Sequence, residues 1–435
     1  MLVLGEHMFV ASTAQADANH EVTNESGIKA DQKRQNLIRE GSPRLYNTYP
    51  APLAYDAPAP SPMFLMFARS YAVISLGFLI LASIGTSEAG DWPLPRADLA
   101  STGAVTTELP DDLSVIWEFK ADEAIEATPV IVDDTVYLAD ATGTLYAVDA
   151  KLGTEKWRLT TELGFTTGPA VQDGLLVIGD LDGIVYAVDA ASGKERWKAV
   201  TKAEISGSAS FDRDHALITS QDGNLYAFSL ADGKLVWTYE TQDQVRCSPT
   251  IAGDRTFLGG CDGKLHSVNL KDGKSMSEPL PLGGPTGSTP AVQGTKAFLP
   301  IMDGAVIAFD WETNKELWRY EDEERAQEYR SSPAVKDDLV IVSSQNKQVD
   351  ALNTETGKRV WRHTLRRRAD ASPIIAGNDC WIAATDGRLL RLSLIDGTEK
   401  WQYEINGQFL ASPAIANDRL YVADDKGIVR CFGKP

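Results

Sequence analysis

The sequence predicts an all-β protein: an eight-bladed β-propeller of four-stranded antiparallel blades, closed by an N-terminal strand that pairs into the last blade. The prediction depends on three marks that recur about every forty residues, since such a period indicates a repeat architecture. The first mark is a tryptophan, and one slot of that series holds Ser277 instead. The tryptophans of the series are Trp117, Trp157, Trp197, Trp237, Trp318, Trp361 and Trp401.

The second mark lies about eleven residues after each tryptophan slot, and its usual form is Ser-Pro or Thr-Pro. Its eight copies are Thr128-Pro129, Gly168-Pro169, Ser208-Ala209, Ser248-Pro249, Thr289-Pro290, Ser332-Pro333, Ser372-Pro373 and Ser412-Pro413. The third mark is a turn, most often Asp-Gly as in Asp182-Gly183. Eight copies of one mark predict eight blades.

Each unit contains short runs typical of strands, such as LLVIGD, IVYAVDA and KERWKAV in the second unit. They are rich in β-branched and aromatic residues, and glycine-containing turns separate them. Four strands per repeat of about forty residues is the pattern of a propeller blade. The sequence ends at GIVRCF without a last tryptophan strand, whereas Trp117 precedes the first complete unit. We therefore expect the N-terminal strand to complete the last blade.

Composition disfavours several functional classes. The chain has 435 residues and a net charge of −19, and an acidic surface repels nucleic-acid phosphates. The five histidines show no zinc-site spacing, and no Walker or GxSxG motif is present. Asp180–Gly183 has an Asp-x-Asp-Gly pattern, but turn geometry explains it, and we expect no metal site.

The N-terminal ninety residues differ from the repeats. Residues 1–62 are predicted to be a disordered or mis-called extension, and 63–89 a signal peptide with an apolar run from Tyr71 to Ile84. Cleavage after Ala89 would leave a lead-in segment at 90–113 and the propeller at 114–435. The alternative is an uncleaved membrane anchor. We expect an exported, periplasmic or secreted protein without stable membrane insertion.

The segments AVDAASGKERW, AFSLADGKLVW and RLSLIDGTEKW resemble the tryptophan-docking motif of the PQQ-type (pyrroloquinoline quinone) β-propeller family. The lead-in DWPLPRADLASTG is similar to the start of secreted PQQ-like repeat proteins. One branch of this family contains quinone- and Ca²⁺-dependent dehydrogenases. Another is non-enzymatic and includes the propeller lipoprotein of the outer-membrane β-barrel assembly machine. The resemblance implies either function.

The dehydrogenase branch has an adjacent Cys-Cys pair, whereas Cys247, Cys261, Cys380 and Cys431 are separate. We therefore favour a non-catalytic, monomeric, protein-binding or envelope-assembly scaffold without cofactor. The alternative is a PQQ-dependent dehydrogenase.

Cys247 and Cys261 flank a predicted hairpin turn. If residues whose numbers sum to 508 face each other across this hairpin, the two cysteines could form a disulfide. Two small buried thiols are the other possibility.

Two charged loops follow tryptophan strands in successive blades, at Glu321–Arg325 and Arg366–Arg368. They are either solvated loops with weak ion pairs or a patch for docking a partner. The tryptophans themselves should pack between blades.

Propeller ligands gather at the mouth of the central channel, and the residue two places before the Ser/Thr slot should ring this mouth. The candidate binding residues there are Glu126, Arg246, Arg330 and Asp370, because arginine suits carboxylate recognition. Alternatively, the two acids neutralise the two arginines across the channel. The other members of the ring are Thr166, Ser206, Gly287 and Leu410.

Overall fold

A computed structural model describes residues 90–434, and every regular element in that range is a β-strand. The predicted N-terminal extension and signal peptide lie outside the described residues. Two strands precede the first blade: β1 (Ala104–Val105) and β2 (Ser114–Lys120). Within residues 90–434, no helix has the length and apolar character needed to cross a membrane.

The predicted eight-bladed architecture is confirmed: the strands form eight antiparallel sheets. Blades 1 to 4 consist of β3 (Val130–Val132), β4 (Thr135–Ala139), β5 (Thr144–Asp149), β6 (Glu155–Thr160); β7 (Ala170–Gln172), β8 (Leu175–Gly179), β9 (Ile184–Asp189), β10 (Glu195–Val200); β11 (Ser210–Asp212), β12 (His215–Thr219), β13 (Asn224–Ser229), β14 (Leu235–Glu240); and β15 (Thr250–Ala252), β16 (Arg255–Gly259), β17 (Lys264–Asn269), β18 (Leu280–Pro281).

Blades 5 to 8 follow the same order. They consist of β19 (Ala291–Gln293), β20 (Lys296–Pro300), β21 (Ala305–Asp310), β22 (Lys315–Glu321); β23 (Ala334–Lys336), β24 (Leu339–Ser343), β25 (Gln348–Asn353), β26 (Arg359–Thr364); β27 (Ile374–Ala376), β28 (Asp379–Ala383), β29 (Arg388–Ser393), β30 (Glu399–Glu404); and β31 (Ala414–Ala416), β32 (Arg419–Ala423), β33 (Ile428–Gly433).

The N-terminal strand β2 is the outermost strand of blade 8. It pairs antiparallel with β33, in a register that places Trp117 beside Cys431. The ring is therefore closed within blade 8 by backbone hydrogen bonds between its N-terminal and C-terminal strands, and the chain continues from β2 into blade 1. This pairing leaves no open sheet edge between the two ends of the repeat.

The first strand of each blade has only three residues and lies innermost, since these short strands contact one another from blade to blade. The second and third strands of each blade are almost completely buried, whereas the fourth alternates between exposed and buried residues. A half-buried outer strand of this kind requires period-two alternation. The core consequently lies between blades, on both faces of each sheet.

The turns define two faces of the propeller. Turns between second and third strands bond to the blade-to-blade connections, as in the bond from Thr161 N to Gly143 O of 2.8 Å. We call this side the mouth face. Turns between first and second strands bond to turns between third and fourth strands, as in the bond from Ala150 N to Asp134 O of 3.0 Å. That side is the opposite face.

Candidate functional site

The four candidate mouth residues are accessible. Glu126, Arg246 and Arg330 are exposed and Asp370 is half-buried, and the residues on both sides of each are buried. This pattern follows from the connection, in which side chains that cover the ends of two blades alternate with side chains that point to solvent. The ring predicted at the mouth is therefore available for contacts with other molecules.

The charges of this ring are engaged mostly by near neighbours in the chain. Arg330 Nε lies 2.6 Å from Glu328 Oε1, and Asp370 accepts hydrogen bonds from Arg368 and from Gln345 Nε2 at 2.8 Å. Arg246 donates to Gln244 Oε1 at 2.8 Å. These contacts differ from the predicted alternative of neutralisation across the channel, because each arginine bonds to an acceptor two residues away.

Beneath the mouth, the hydroxyls of the second mark link successive blades. Five of these hydroxyl oxygens accept a hydrogen bond from the backbone N–H of the corresponding residue in the preceding blade, at 2.9 to 3.0 Å. The bonds run from blade 3 to blade 8 through Ser208, Ser248, Thr289, Ser332, Ser372 and Ser412. Backbone donors that are partly shielded from water need such partners, which explains why the mark carries Ser or Thr.

The lead-in segment lies along the innermost strands and reaches them from the opposite face. Trp92 exchanges two backbone hydrogen bonds with Ile131 of blade 1, at 2.7 and 2.9 Å. Backbone oxygens farther along then accept from the innermost strands of blades 2, 4, 5, 6 and 7, and β1 pairs in parallel with β27. The segment turns past blade 3 at residues 94–98, where Ala97 N bonds to Leu94 O and Ala97 has φ of 71°.

At this turn the Arg96 side chain crosses the channel, and its exposed fraction is only 6%. Its Nη2 donates to Pro333 O at 2.7 Å and to Pro373 O at 2.9 Å, in blades 6 and 7. A Cβ added to Gly103 would lie 2.1 Å from Nη2, so the guanidinium requires glycine there. We did not predict this role for Arg96, because the lead-in lies outside the repeat. The signal in the sequence that could have indicated this role was the lead-in motif DWPLPR, which contains Arg96.

The repeated tryptophans pack between blades. Trp117, Trp157, Trp197, Trp237, Trp318 and Trp361 each donate from Nε1 to a backbone oxygen of the next blade, at 2.8 to 3.2 Å. Each ring also covers a glycine of that blade, such as Gly397 beneath Trp361. Trp401 instead contacts Trp381 and Phe432, with ring centroids 5.6 and 5.8 Å away.

Where Ser277 replaces the repeated tryptophan, nearby residues of blade 5 also differ from the repeat pattern. Ser277 has no ring to cover the next blade, and the corresponding glycine is replaced by Asn314, with φ of 53°. Asparagine tolerates this left-handed conformation better than most residues. Trp311 of the same turn packs back onto blade 4, with its ring centroid 6.1 Å from that of Phe257.

The predicted disulfide between Cys247 and Cys261 is wrong, since both thiols are free in this structure. The hairpin pairs residues whose numbers sum to 507, as in Thr250 with Phe257, rather than 508. A slip of one residue turns a side chain to the other side of a sheet. Cys247 Sγ instead donates to Gly259 O at 3.3 Å, and burial raises the pKa of this thiol to about 12.

The two charged loops differ in detail. The side chain of Asp322 in the acidic loop is only 1% exposed and pairs with Arg362 at 2.6 Å, which anchors the loop, while Glu323 and Glu324 are exposed. Arg366 and Arg367 of the basic loop are also exposed. Both loops are blade-to-blade connections, so opposite charges flank blade 6 on the mouth face.

The described residues contain no group of three or more His, Cys, Asp or Glu side chains that could hold a metal ion. The Asp180 turn has a structural explanation: Asp180 Oδ1 accepts from the N–H groups of Asp182 and Ile184, and Oδ2 accepts from the Tyr186 hydroxyl at 3.0 Å. Asp180 is 1% exposed, and its oxygens are already occupied.

Comparisons with known proteins agree with this architecture. A family model described as outer membrane protein assembly factor BamB matches residues 99–164, 153–298 and 302–433. The 1-butanol dehydrogenase (cytochrome c) of Thauera butanivorans is 26% identical over 99 residues, which cover 21% of this chain and only 14% of that enzyme's length.

Solved structures share the fold at low identity. BamB from Moraxella catarrhalis has 20% identity and a TM-score of 0.66, over 74% of this chain and 100% of that one. Quinohemoprotein alcohol dehydrogenase from Comamonas testosteroni has 14% identity and a TM-score of 0.71, over 80% and 82%. The designed protein Ika8 has 16% identity and a TM-score of 0.64, over 72% and 98%. These similarities concern the fold alone.

Proposed function

The chain belongs to the PQQ-like β-propeller family whose model is described as outer membrane protein assembly factor BamB, and we propose that it is an exported, non-catalytic, protein-binding or envelope-assembly scaffold. The observation that carries this proposal is the lead-in segment, which lies along the innermost strands of six blades. The channel centre is where a propeller usually binds a small ligand. In this protein, part of that space belongs to the chain itself.

Arg96 strengthens this argument. Its side chain spans the channel to Pro333 and Pro373, and the cavity beside it has a volume of about 10 Å³. Such a volume accommodates about one water molecule, so this cavity is too small for a quinone. We therefore place the partner-binding surface on the mouth face rather than in the channel.

The mouth face offers features that suit a protein partner. The exposed acids Glu323 and Glu324 lie in one connection, and the exposed bases Arg366 and Arg367 lie in the next. Charges of both signs on neighbouring loops favour complementary docking and fix the orientation of a partner. The buried pair of Asp322 with Arg362 holds the acidic loop in place, which reduces the ordering that binding requires.

The alternative is a PQQ-dependent dehydrogenase, which the short match to 1-butanol dehydrogenase favours. The residues present do not fit quinone and calcium well. Asp370 is already bonded by Arg368 and Gln345, and the described residues provide no acidic cluster for the metal. We therefore derive no reaction step through a quinone.

Charge reversal tests the scaffold proposal. The double variant Glu323→Lys and Glu324→Lys raises the net charge of the mouth face by four units. The matched control, Asp272→Lys with Glu312→Lys, makes the same change in exposed turns of the opposite face. Crosslinking in native cell envelopes with quantitative mass spectrometry should show partners reduced about tenfold for the mouth variant only. Equal partner recovery in both variants would contradict a mouth-face scaffold.

A separate assay addresses the enzyme alternative. The purified protein is incubated with PQQ and Ca²⁺, and dye reduction is followed with primary alcohols and sugars. We expect no turnover above that of free PQQ. Sustained turnover would overturn the scaffold proposal.

N-terminal sequencing of the exported protein tests processing, and we expect a mature chain that begins near Gly90.

A further inference from the structure

The lead-in segment bonds to the innermost strand of every blade from 1 to 7 except blade 3. Pro93 O accepts from Val171 N in blade 2 at 2.9 Å, and Leu99 O accepts from Ile251 N in blade 4 at 2.8 Å. Between these two contacts the segment turns, and among the described residues no oxygen of the lead-in accepts from the equivalent N–H of blade 3, that of Phe211. Blade 3 therefore keeps a strand edge that the lead-in covers in its neighbours.

The backbone of Phe211 points toward the channel. Phe211 is the middle residue of β11 and pairs with Ala216 of β12. Residues of an antiparallel ladder alternate between pairs that exchange hydrogen bonds and pairs that do not, so the middle residue directs its N–H and C=O away from the second strand. Ile131, the equivalent residue of blade 1, shows this geometry, because it exchanges two backbone hydrogen bonds with Trp92. Phe211 can pair with one residue of an extended chain in the same way.

A cavity of about 460 Å³ lies beside this strand edge. Its lining includes Phe211 of blade 3, Gln172 of blade 2, and Leu94 and Leu99 of the lead-in. The cavity lies at the end of the channel on the opposite face, since Gln172 adjoins the turn between β7 and β8. Leu99 is 40% exposed, so this wall of the cavity is apolar and accessible. The cavity is large enough to bind a segment of a few residues.

The cavity carries negative charge. Asp91 and Asp98 of the lead-in line it. Burial, together with the nearby carboxylates of Asp133 and Asp134, raises the pKa of Asp91, and Lys151 pairs with Asp134 at 2.6 Å. A cationic side chain close to Asp91 would favour its charged form. The charges at this end of the channel therefore favour a basic ligand over an acidic one.

We propose that this cavity binds an extended segment of a partner protein that carries lysine or arginine, pairs with Phe211 through its backbone and directs its basic side chain to Asp91 and Asp98. Backbone pairing at an open strand edge supplies affinity, and the pocket beside it supplies side-chain specificity. The lead-in is the precedent within this chain, since it adds an extended segment to the innermost strands of six blades. The site is additional to the mouth-face surface and lies at the other end of the channel.

Two peptides of opposite charge test the proposal. Fluorescence anisotropy of the purified exported protein measures the binding of a labelled VKVKV peptide and of a VEVEV peptide of the same length. We expect VKVKV to bind and VEVEV to bind at least tenfold more weakly, because the cavity repels its carboxylates. Equal affinities for the two peptides, or no binding of VKVKV, would overturn the proposal.

Leu99→Arg shows whether the peptide binds in this cavity. The substitution adds bulk and positive charge to the exposed wall, whereas the backbone bond from Ile251 N to Leu99 O does not involve the side chain. The affinity for VKVKV should fall about tenfold. The matched control is Leu152→Arg, which makes the same change at a leucine of the same face that is 70% exposed, and it should leave the affinity unchanged. Equal affinities of the two variants would refute the site.

Amide hydrogen exchange reads the backbone pairing directly. Binding of VKVKV should slow the exchange of the Phe211 N–H, because a peptide carbonyl then accepts from it. Exchange of the Val171 N–H should change little, since this group already donates to Pro93 O. Saturating peptide without added protection at Phe211 would overturn the pairing that the proposal requires.

Discussion

Gly397→Ala tests how the tryptophans hold neighbouring blades together. Gly397 has φ of 71°, and an added Cβ would lie 2.5 Å from Cε3 and 2.8 Å from Cδ2 of Trp361. Two penalties therefore combine. A left-handed alanine costs about 1 kcal/mol. Overpacking against a ring that is only 7% exposed costs about 1–3 kcal/mol more.

Gly174→Ala separates these penalties. Gly174 has φ of 74°, nearly the same conformation, but nothing lies within 4 Å of an added Cβ. Unfolding entropy of about 2.1 cal/mol/K per residue over roughly 345 residues converts 1 kcal/mol into about 1.4 °C. Calorimetry should then show a loss of about 1–2 °C for Gly174→Ala and of about 3–6 °C for Gly397→Ala.

A double-mutant cycle shows whether the ring causes the difference. In a Trp361→Ala background, Gly397→Ala should cost only the backbone penalty, because the clashing ring is absent. The coupling energy between the two sites should be about 1–3 kcal/mol. Equal losses for Gly397→Ala with and without Trp361, or equal losses for the two glycine variants, would refute the reasoning.

Two further predictions concern the channel and the thiols. Ser372→Ala leaves the partly buried N–H of Ser332 without its acceptor, and calorimetry should show a loss of about 1 kcal/mol that Ser192→Ala, at an exposed serine, does not reproduce. Desolvation by burial raises the pKa of Cys261, so its alkylation should be slow at pH 7 and should accelerate as the pH rises above 9. Buried Cys247 should react only after unfolding, and a disulfide found by mass spectrometry in the purified protein would contradict the free thiols.

The repeat made the blade count predictable from the sequence, because tryptophan and Ser-Pro spacing mark each unit independently of packing. The register of the strands was harder to predict from the sequence. The difference between a sum of 507 and 508 depends on whether the Gly253-Asp254 turn has two or three residues, and local composition does not decide this. The disulfide prediction failed on that single residue.

The candidate site was predictable where it follows the repeat. The mouth ring could be located because its members hold one fixed offset from the second mark. Arg96 could not be located in this way, since its segment has no internal period. Its contacts with Pro333 and Pro373 span more than 230 residues of sequence, and only the closed ring brings them together.

A position whose residue differs from the repeat pattern can nevertheless indicate where the lead-in segment contacts the blades. Blade 2 carries Gly168 in place of a hydroxyl residue, and a Cβ there would lie 2.6 Å from Thr128 O of blade 1 and 2.8 Å from Cγ of Pro95 in the lead-in. The neighbouring Thr167 supplies the missing hydroxyl, since its Oγ1 lies 2.5 Å from Ser208 Oγ. In a repeat protein, most positions are explained by packing against equivalent neighbours, so a position that breaks the pattern and is compensated nearby indicates a contact outside the repeat. By this reasoning, the lead-in is as much a part of the folded propeller as the blades, and functional tests should use a chain that retains residues 90–113.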